Sequence, residues 1–485
     1  MNVFKPSRLS VALAAAVLLS GCMVGPEYQR PSAPVSGAFK EAAGWKAASP
    51  QDELPKGPWW ALYQDPQLDA LVAQVQLDNQ NVAQYAAQYR QALALVRQSR
   101  AELLPTVSAT GATTRSETGT GSTSSASTGG TGSAGGARNE HSATLSLSWE
   151  ADIWGKLRRT VEQDRASAQA SAADLANATL SAQSSLAQNY FQLRILDRRI
   201  ALYQDTIKGY ERYLQIIQNK YDEKIVSRAD LSTGKTQLHS AQASMLDLQW
   251  QRAQYEHAIA LLMGKAPADF SLAADTHWDY HVPQVPLGVP SRLLERRPDI
   301  ASAERAMSAA NAAVGVATAA YYPDLTLSAS GGYQSSTMSQ LFSLPNRFWS
   351  IGPSLTGTLL DFGATKASVE QARAAYDATV ASYRQAVLTG LGEVEDYLVE
   401  LRTLEPELEA RRTSAEAAED SASVSRDQYE AGVIDYLDVA TTQATSLSER
   451  QTLLSLVGTQ LVTSVQLQAA LGGSWDGPGV ANAAR

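Results

Sequence analysis

The chain has 485 residues, 44% of them apolar but only 7% aromatic, with a formal net charge of −9. That length allows a large core and two or three domains, and the mildly acidic balance leaves no electrostatic footprint for nucleic acid. Cys22 is the one cysteine, which excludes an intramolecular disulfide.

Residues 1–21 predict an export leader. Lys5 and Arg8 give a basic start, Leu9 to Leu19 is a short apolar run, and Leu19-Ser20-Gly21-Cys22 fits the bacterial lipoprotein cleavage pattern. In that pattern the cysteine is acylated and becomes the first residue. An ordinary secretory leader with a chance cysteine is the alternative, and the position of the single cysteine favours lipidation. Without Lys5 and Arg8, the 40 basic residues become 38 against 49 acidic ones, a net charge of −11. A multiply acylated cysteine would hold such a chain on a membrane. No run of roughly 18 or more apolar residues follows, so any membrane crossing must be made by strands.

An anchored, extended segment is expected over 22–65, with Pro26, Pro31, Pro34, Trp45, Trp59 and Trp60. Residues 66–266 read as one unit: a helix from Leu68 to Leu104, a strand pair over 105–150 and a long helical hairpin over 156–263. In the strands, Leu145, Leu147 and Trp149 alternate with Thr144, Ser146 and Ser148, and Thr106–Thr114 alternates more weakly. One apolar and one hydroxyl-bearing face over about ten residues fits a membrane β-strand, and equally a half-exposed strand of a soluble sheet. Between the strands, Ser116–Ala137 is nearly all Gly, Ser, Thr and Ala and reads as a surface loop. Its Gly130-Thr131-Gly132-Ser133-Ala134-Gly135 matches a dinucleotide fingerprint only formally, since no apolar strand precedes it. In the hairpin, Leu186, Tyr190, Leu193, Leu196, Ile200, Tyr203, Ile207, Tyr210, Leu214, Ile217 and Tyr221 step by fours and threes, a coiled-coil pattern. Lys156 to Tyr221 would span roughly 100 Å as helix.

A Pro-rich linker is expected over 267–290, a second unit over 291–472 and a tail over 473–485. The second unit repeats the first: Tyr429-Glu430-Ala431-Gly432 answers Tyr221-Asp222-Glu223-Lys224, Asp361-Phe362-Gly363 answers Asp152-Ile153-Trp154-Gly155, and Gly472 answers Gly264. An offset kept over so long a stretch implies duplication. The second strand pair is expected over 324–360, where Leu325, Leu327 and Ala329 oppose Thr326, Ser328 and Ser330. Ile351, Leu355 and Leu359 likewise oppose Ser354, Thr356 and Thr358. Pro353 predicts a bulge or strand end. The second helical hairpin is expected over 364–471, with a kink or interruption at Pro406. The fold class is therefore an α+β membrane protein with a duplicated unit, four strands and two long helical hairpins per chain. Four strands cannot close a barrel, and an open edge in lipid leaves backbone groups unsatisfied. Two copies would give eight strands and a filled bore; three would give twelve and a lumen.

Leu294-Glu295-Arg296-Arg297-Pro298-Asp299-Ile300, followed by Ala303-Glu304-Arg305, Ala309-Ala310-Asn311 and Gly315-Val316-Ala317, resembles the linker-to-helix motif of outer-membrane factors. These are the TolC-like and OprM-like efflux channels, including lipoproteins of the NodT type. Trp59-Trp60 with Asp65-Pro66 and Leu68, Asp152-Ile153-Trp154-Gly155, and the run opened by Tyr429 resemble the same family. The resemblance implies a homotrimer with a 12-stranded barrel and an α-helical tunnel in the outer membrane of a Gram-negative bacterium. It implies efflux of drugs or toxic compounds, fed by a resistance-nodulation-division (RND) pump of the inner membrane through a periplasmic adaptor, with no cofactor. It also places Asp438 at a ring of aspartates lining the periplasmic mouth, Asp230 at its counterpart on the first hairpin and Tyr429 at a gating tyrosine. Two departures stand out: Ile434 replaces a gate arginine, and Lys224 replaces a glycine. The lock is therefore expected to use Lys224 or Arg228 with Asp435 or Asp438; the other reading makes these residues solvated helix caps.

No Ser-His-Asp or paired-carboxylate arrangement presents itself, and His277 and His281 have no nearby cysteine, so neither an enzyme nor a metal site is expected. The alternative function is a lipid-anchored coiled-coil adaptor or scaffold without a pore. An adaptor should carry one hairpin flanked by lipoyl-like β segments, whereas this chain carries two hairpins and four amphipathic strands. The cargo and the identity of the pump are not legible in the residues.

Overall fold

The computed structural model describes residues 23–41, 58–117, 137–283 and 296–475. The expected leader, Cys22, most of the Gly-Ser-Thr loop, the end of the linker and most of the tail lie outside them. The chain divides into two compact units. One holds the stretch up to Pro31, Gln91–Ala168 and Arg305–Ala381; the other holds Ser32–Arg90, Gln169–Glu304 and the chain from Ser382 onward.

In the first unit, β1 (Thr106–Ser116), β2 (Arg138–Ala151), β3 (Asp324–Ser335) and β4 (Arg347–Thr356) form one antiparallel sheet in chain order. Its register sorts the side chains. Val107 lies opposite Leu147, which lies opposite Ala329, which lies opposite Ile351. One residue on, Ser108, Ser146, Ser330 and Ser350 form the matching row, and the Ser330 and Ser350 hydroxyls are 2.9 Å apart. Opposed residues share a face. Leu145, Leu147, Trp149, Leu325, Leu327, Trp349, Ile351 and Leu355 therefore build one apolar face, and the hydroxyl residues build the other. Trp349, Ile351 and Leu355 are 73%, 75% and 67% exposed.

The expected break at Pro353 does not occur: β4 runs through it, with Pro353 opposite Leu327. The strand sits at the edge of the described sheet, where a missing N–H need not interrupt a ladder. The last residues expected in this strand behave differently, since β4 stops at Thr356, opposite Asp324. β2 offers the contrast. Its ladder with β1 also ends, at Ser148 opposite Thr106, yet Trp149, Glu150 and Ala151 stay in the strand because Leu327, Thr326 and Leu325 of β3 hold them from the other side.

The α-helices among the described residues are α1 (Pro66–Asp78), α2 (Gln80–Ala101), α3 (Lys156–Asp222), α4 (Arg228–Leu262), α5 (Pro298–Ala319), α6 (Ala364–Glu430) and α7 (Tyr436–Ala470). The single helix expected from Leu68 is two, because Asn79 breaks it. Its side chain accepts from Asn81 N and Val82 N and donates to Leu262 O. α3 and α6 each have 67 residues, about 100 Å at the helical rise. The expected interruption at Pro406 is absent, since α6 continues through it. Leu404 and Leu408 on either side are buried, and packing of this kind outweighs one missing backbone bond.

The second unit gathers Trp59, Tyr63, Leu68, Val72 and Val75 against Leu186, Tyr190 and Phe191 of α3, Val457, Leu461 and Val465 of α7, and Trp278. Asp65 caps α1 by accepting from Gln67 N and Leu68 N, and it also accepts from Tyr190 Oη (2.7 Å) and Trp278 Nε1 (2.9 Å). Arg297, from the Arg-Arg-Pro-Asp run, is buried against Asp299 (2.7 Å), Glu393 (2.8 Å) and the carbonyl of Ala470 (3.1 Å). A buried cation needs that many acceptors.

Candidate functional site

The two repeated runs are the turns between α3 and α4 and between α6 and α7. In the first, Lys224 N donates to Tyr221 O and Ile225 N to Lys220 O. In the second, Gly432 N donates to Tyr429 O and Val433 N to Gln428 O. This paired closure of a helix end requires one left-handed residue. Lys224 (φ 63°) and Gly432 (φ 76°) supply it, so the lysine stands in a position that glycine fills more cheaply.

Each return helix then begins in its own way. Ser227 caps α4, with Asp230 N donating to Ser227 Oγ (3.2 Å) and Ser227 N donating to Asp230 Oδ2 (2.9 Å), a reciprocal capping box. In α7 the cap is Asp435, whose side chain makes no capping bond, and Asp438 takes the place of Asp230. Two carboxylates cannot share the box as serine and aspartate do. Asp435 and Asp438 are left exposed at the helix N-terminus, where the backbone dipole favours negative charge.

Beneath the turns the two hairpins pack together. Tyr213, Ile217, Leu231, Tyr429, Tyr436, Val439 and Ala440 form one buried cluster, with Tyr221, Val226 and Ile434 packed on it. Tyr436 Oη donates to Gln237 Oε1 (2.9 Å), whose Nε2 donates to Ala440 O (2.8 Å). The Tyr429 and Tyr436 rings meet edge to face at 5.8 Å, and Lys220 Nζ lies 4.3 Å from the centre of the Tyr429 ring. The Tyr429 hydroxyl is buried without a hydrogen-bond partner among the described residues. Burial raises its pKa, and the Asp230 carboxylate adds to the rise. Burial likewise pushes Tyr436 well above the ordinary phenol value.

Of the residues singled out from sequence, Tyr429 is in the shared cluster with Asp230 near it. Ile434 packs on apolar neighbours. Lys224, Arg228, Asp435 and Asp438 are exposed, and among the described residues no ion pair joins either basic group to either acid within the chain. Tyr436 answers Arg228 of the first copy, a mismatch that marks the two turns as different in role, and it lies in the shared cluster. Gln237 and Lys220 carry no signal in the sequence apart from facing the seam. Among the described residues no helix is long and apolar enough to cross a membrane, and no group of three or more acidic, histidine or cysteine side chains could hold a metal.

The family model described as "Outer membrane efflux protein" matches residues 71–265 and again 289–473. Among curated proteins, the chain is 30% identical over 479 residues to the antibiotic efflux pump outer membrane protein ArpC of Pseudomonas putida. It is 29% identical over the same length to a toluene efflux pump outer membrane protein, TtgC, of the same species; each alignment covers 97% of this chain and 96% of the relative. Among solved structures, the outer-membrane channel OprN superposes with a TM-score of 0.85 at 26% identity, covering 94% of this chain and all of that one. The duplicated match, the sheet with one apolar face and the paired helical hairpins agree, and the chain belongs to the outer membrane efflux protein family.

Proposed function

We propose that three copies of this chain form a gated conduit through the outer membrane, the last component of a tripartite pump. The observation that carries this reading is the sheet: four strands with an apolar row, a hydroxyl row and two unpaired edges. An open edge in lipid costs several kcal/mol per unsatisfied backbone group, so the edges must meet in a ring. Two copies leave no lumen, whereas three leave one lined by serine and threonine. A conduit of this kind has no means of coupling energy. An inner-membrane pump of the RND class and a periplasmic adaptor supply the drive and the link, in keeping with relatives named as outer membrane proteins of efflux pumps. Acylated Cys22 would tether each copy to membrane lipid. The chain carries no catalysis and needs no cofactor.

The gate lies at the hairpin turns. Asp438 and Asp435, free of the capping box that occupies Asp230, would form a ring of carboxylates about the threefold axis, a field that favours cations. Lys224 and Arg228, which pair with neither of those acids within their own chain, would reach the acids of a neighbouring copy. The buried Tyr429 hydroxyl, with no partner among the described residues, leaves one unsatisfied polar group at the turns, at a cost of about 1–3 kcal/mol. The test is conductance of the purified protein in planar bilayers. Wild type should give small, cation-preferring currents, and Asp438→Arg should change both conductance and selectivity. Wild-type protein that never conducts would favour the scaffold reading, and an Asp438→Arg channel identical to wild type would remove the gate assignment alone.

A further inference from the structure

Arg159 of α3 is fully enclosed, yet most of what it holds is the N-terminal segment. Its Nε donates to Val24 O (3.2 Å). Its Nη2 donates to Glu27 Oε1 (2.8 Å) and Gly25 O (3.5 Å), and its Nη1 donates to Glu162 Oε2 (2.7 Å). Asn311 Nδ2 of α5 donates to Pro26 O (3.0 Å), and Val24 N donates to Trp154 O (3.0 Å). Three consecutive carbonyls and a carboxylate of one extended segment are thus each taken by a side chain of α3 or α5. The fit is also steric. Gly25 has φ +98°, and a Cβ on it would lie 2.5 Å from the Gly315 Cα; a Cβ on Gly315 would lie 2.9 Å from the Arg159 side chain.

This cleft reads a peptide through its main chain, and its occupant begins one residue after Cys22. Its outlet is fixed as well. Met23 packs on Gly155, where a Cβ would lie 2.4 Å from Met23 Cγ. Gly155 follows the end of β2 at Ala151. Trp154 beside it stacks on Tyr322 at 4.6 Å and donates to Pro323 O, the residue before β3. A loose tether would need none of this, and burying a guanidinium is costly unless its acceptors are all in place.

We propose that the Arg159 cleft is a dock for the segment that follows the acylated cysteine, holding the lipid attachment point at the ends of β2 and β3. The acyl chains then enter the bilayer level with the edge of the apolar sheet face instead of trailing from a free strap. The proposal rests on acylation of Cys22. It is tested on the full-length, detergent-extracted channel, labelled in the cell with radioactive palmitate and treated with a glutamate-specific protease, by following the labelled fragment that ends at Glu27. In wild type the docked segment should resist that cut. Arg159→Met should release the fragment roughly tenfold faster or more, because the segment opens locally without its charge-assisted bonds. Gly25→Ala, which alters only the strap, should do the same while the oligomer that survives detergent is unchanged. Label that leaves wild type and both variants at one rate overturns the dock. Wild type that takes up no label overturns the acylation beneath it, and with it the anchor role.

Discussion

Lys224 and Gly432 hold the same left-handed turn position, at which a non-glycine residue costs about 1 kcal/mol or more. Lys224→Gly is expected to slow hydrogen exchange over the first turn, and Gly432→Lys to speed it over the second. Asp230→Ala should weaken the first turn by about 1 kcal/mol through loss of the capping box, whereas Asp438→Ala should leave the second turn's exchange nearly unchanged. The phenols of Tyr210, Tyr213, Tyr429 and Tyr436 are all raised above the ordinary 10.0, by burial first. Raised values mean that the folded state prefers the neutral phenol. That contribution is complete below pH 10 and lost as pH climbs through the folded values. Titration by tyrosinate absorbance should therefore show ionisation delayed beyond free tyrosine and coincident with loss of hydrogen-exchange protection at the turns. The repeated run was readable because the two copies could be compared. The difference in capping was readable only in part, because Ser227 against Asp435 gains meaning once both are seen as caps. Lys220 and Gln237 stayed hidden, because a polar residue facing a seam looks in sequence like any solvated one.

Among the elements, strands and helices failed the sequence in different places. Alternation from Ile351 to Leu359 promised a strand longer than the one observed, since a strand persists only where a ladder holds it. The duplication says what is missing. Ser148 and Thr356 are equivalent strand positions 208 residues apart, and Thr106 and Asp324 are equivalent 218 apart. Trp149, Glu150 and Ala151 hold to Leu327, Thr326 and Leu325. Carried to the second repeat, the same pairing sets Gly357, Thr358 and Leu359 opposite Ala109, Ser108 and Val107 of a neighbouring copy. That register keeps both apolar rows on one side, and Leu359, now 101% exposed, joins them. Pro353 suggests a bulge or strand end and Pro406 a kink or interruption, yet neither residue ends its element: one lies in an edge strand and the other within a packed helix. Pro406→Ala is expected to protect backbone amides around Arg402–Ala410 by a helix-propensity gain of up to about 3 kcal/mol, measurable by hydrogen exchange.

For the whole molecule, composition and pattern separated the parts but not their number. The strands, the long hairpins and the family could be read from residues, because period two, heptads and the Arg-Arg-Pro-Asp run are local signals. How many chains close the sheet is not local, and the cargo is less so: relatives of nearly equal identity carry names for antibiotics and for toluene. The most direct test is an oxidised double-cysteine chain, Val107→Cys with Leu359→Cys, or Ser108→Cys with Thr358→Cys. Opposed positions of antiparallel strands lie about 4.5–5.5 Å apart at Cα, within disulfide reach. Three copies closing one barrel should yield cross-linked dimers and trimers in denaturing gels, with trimer the largest species. Chains that stay monomeric with either pair, or a ladder that runs past three, would contradict it.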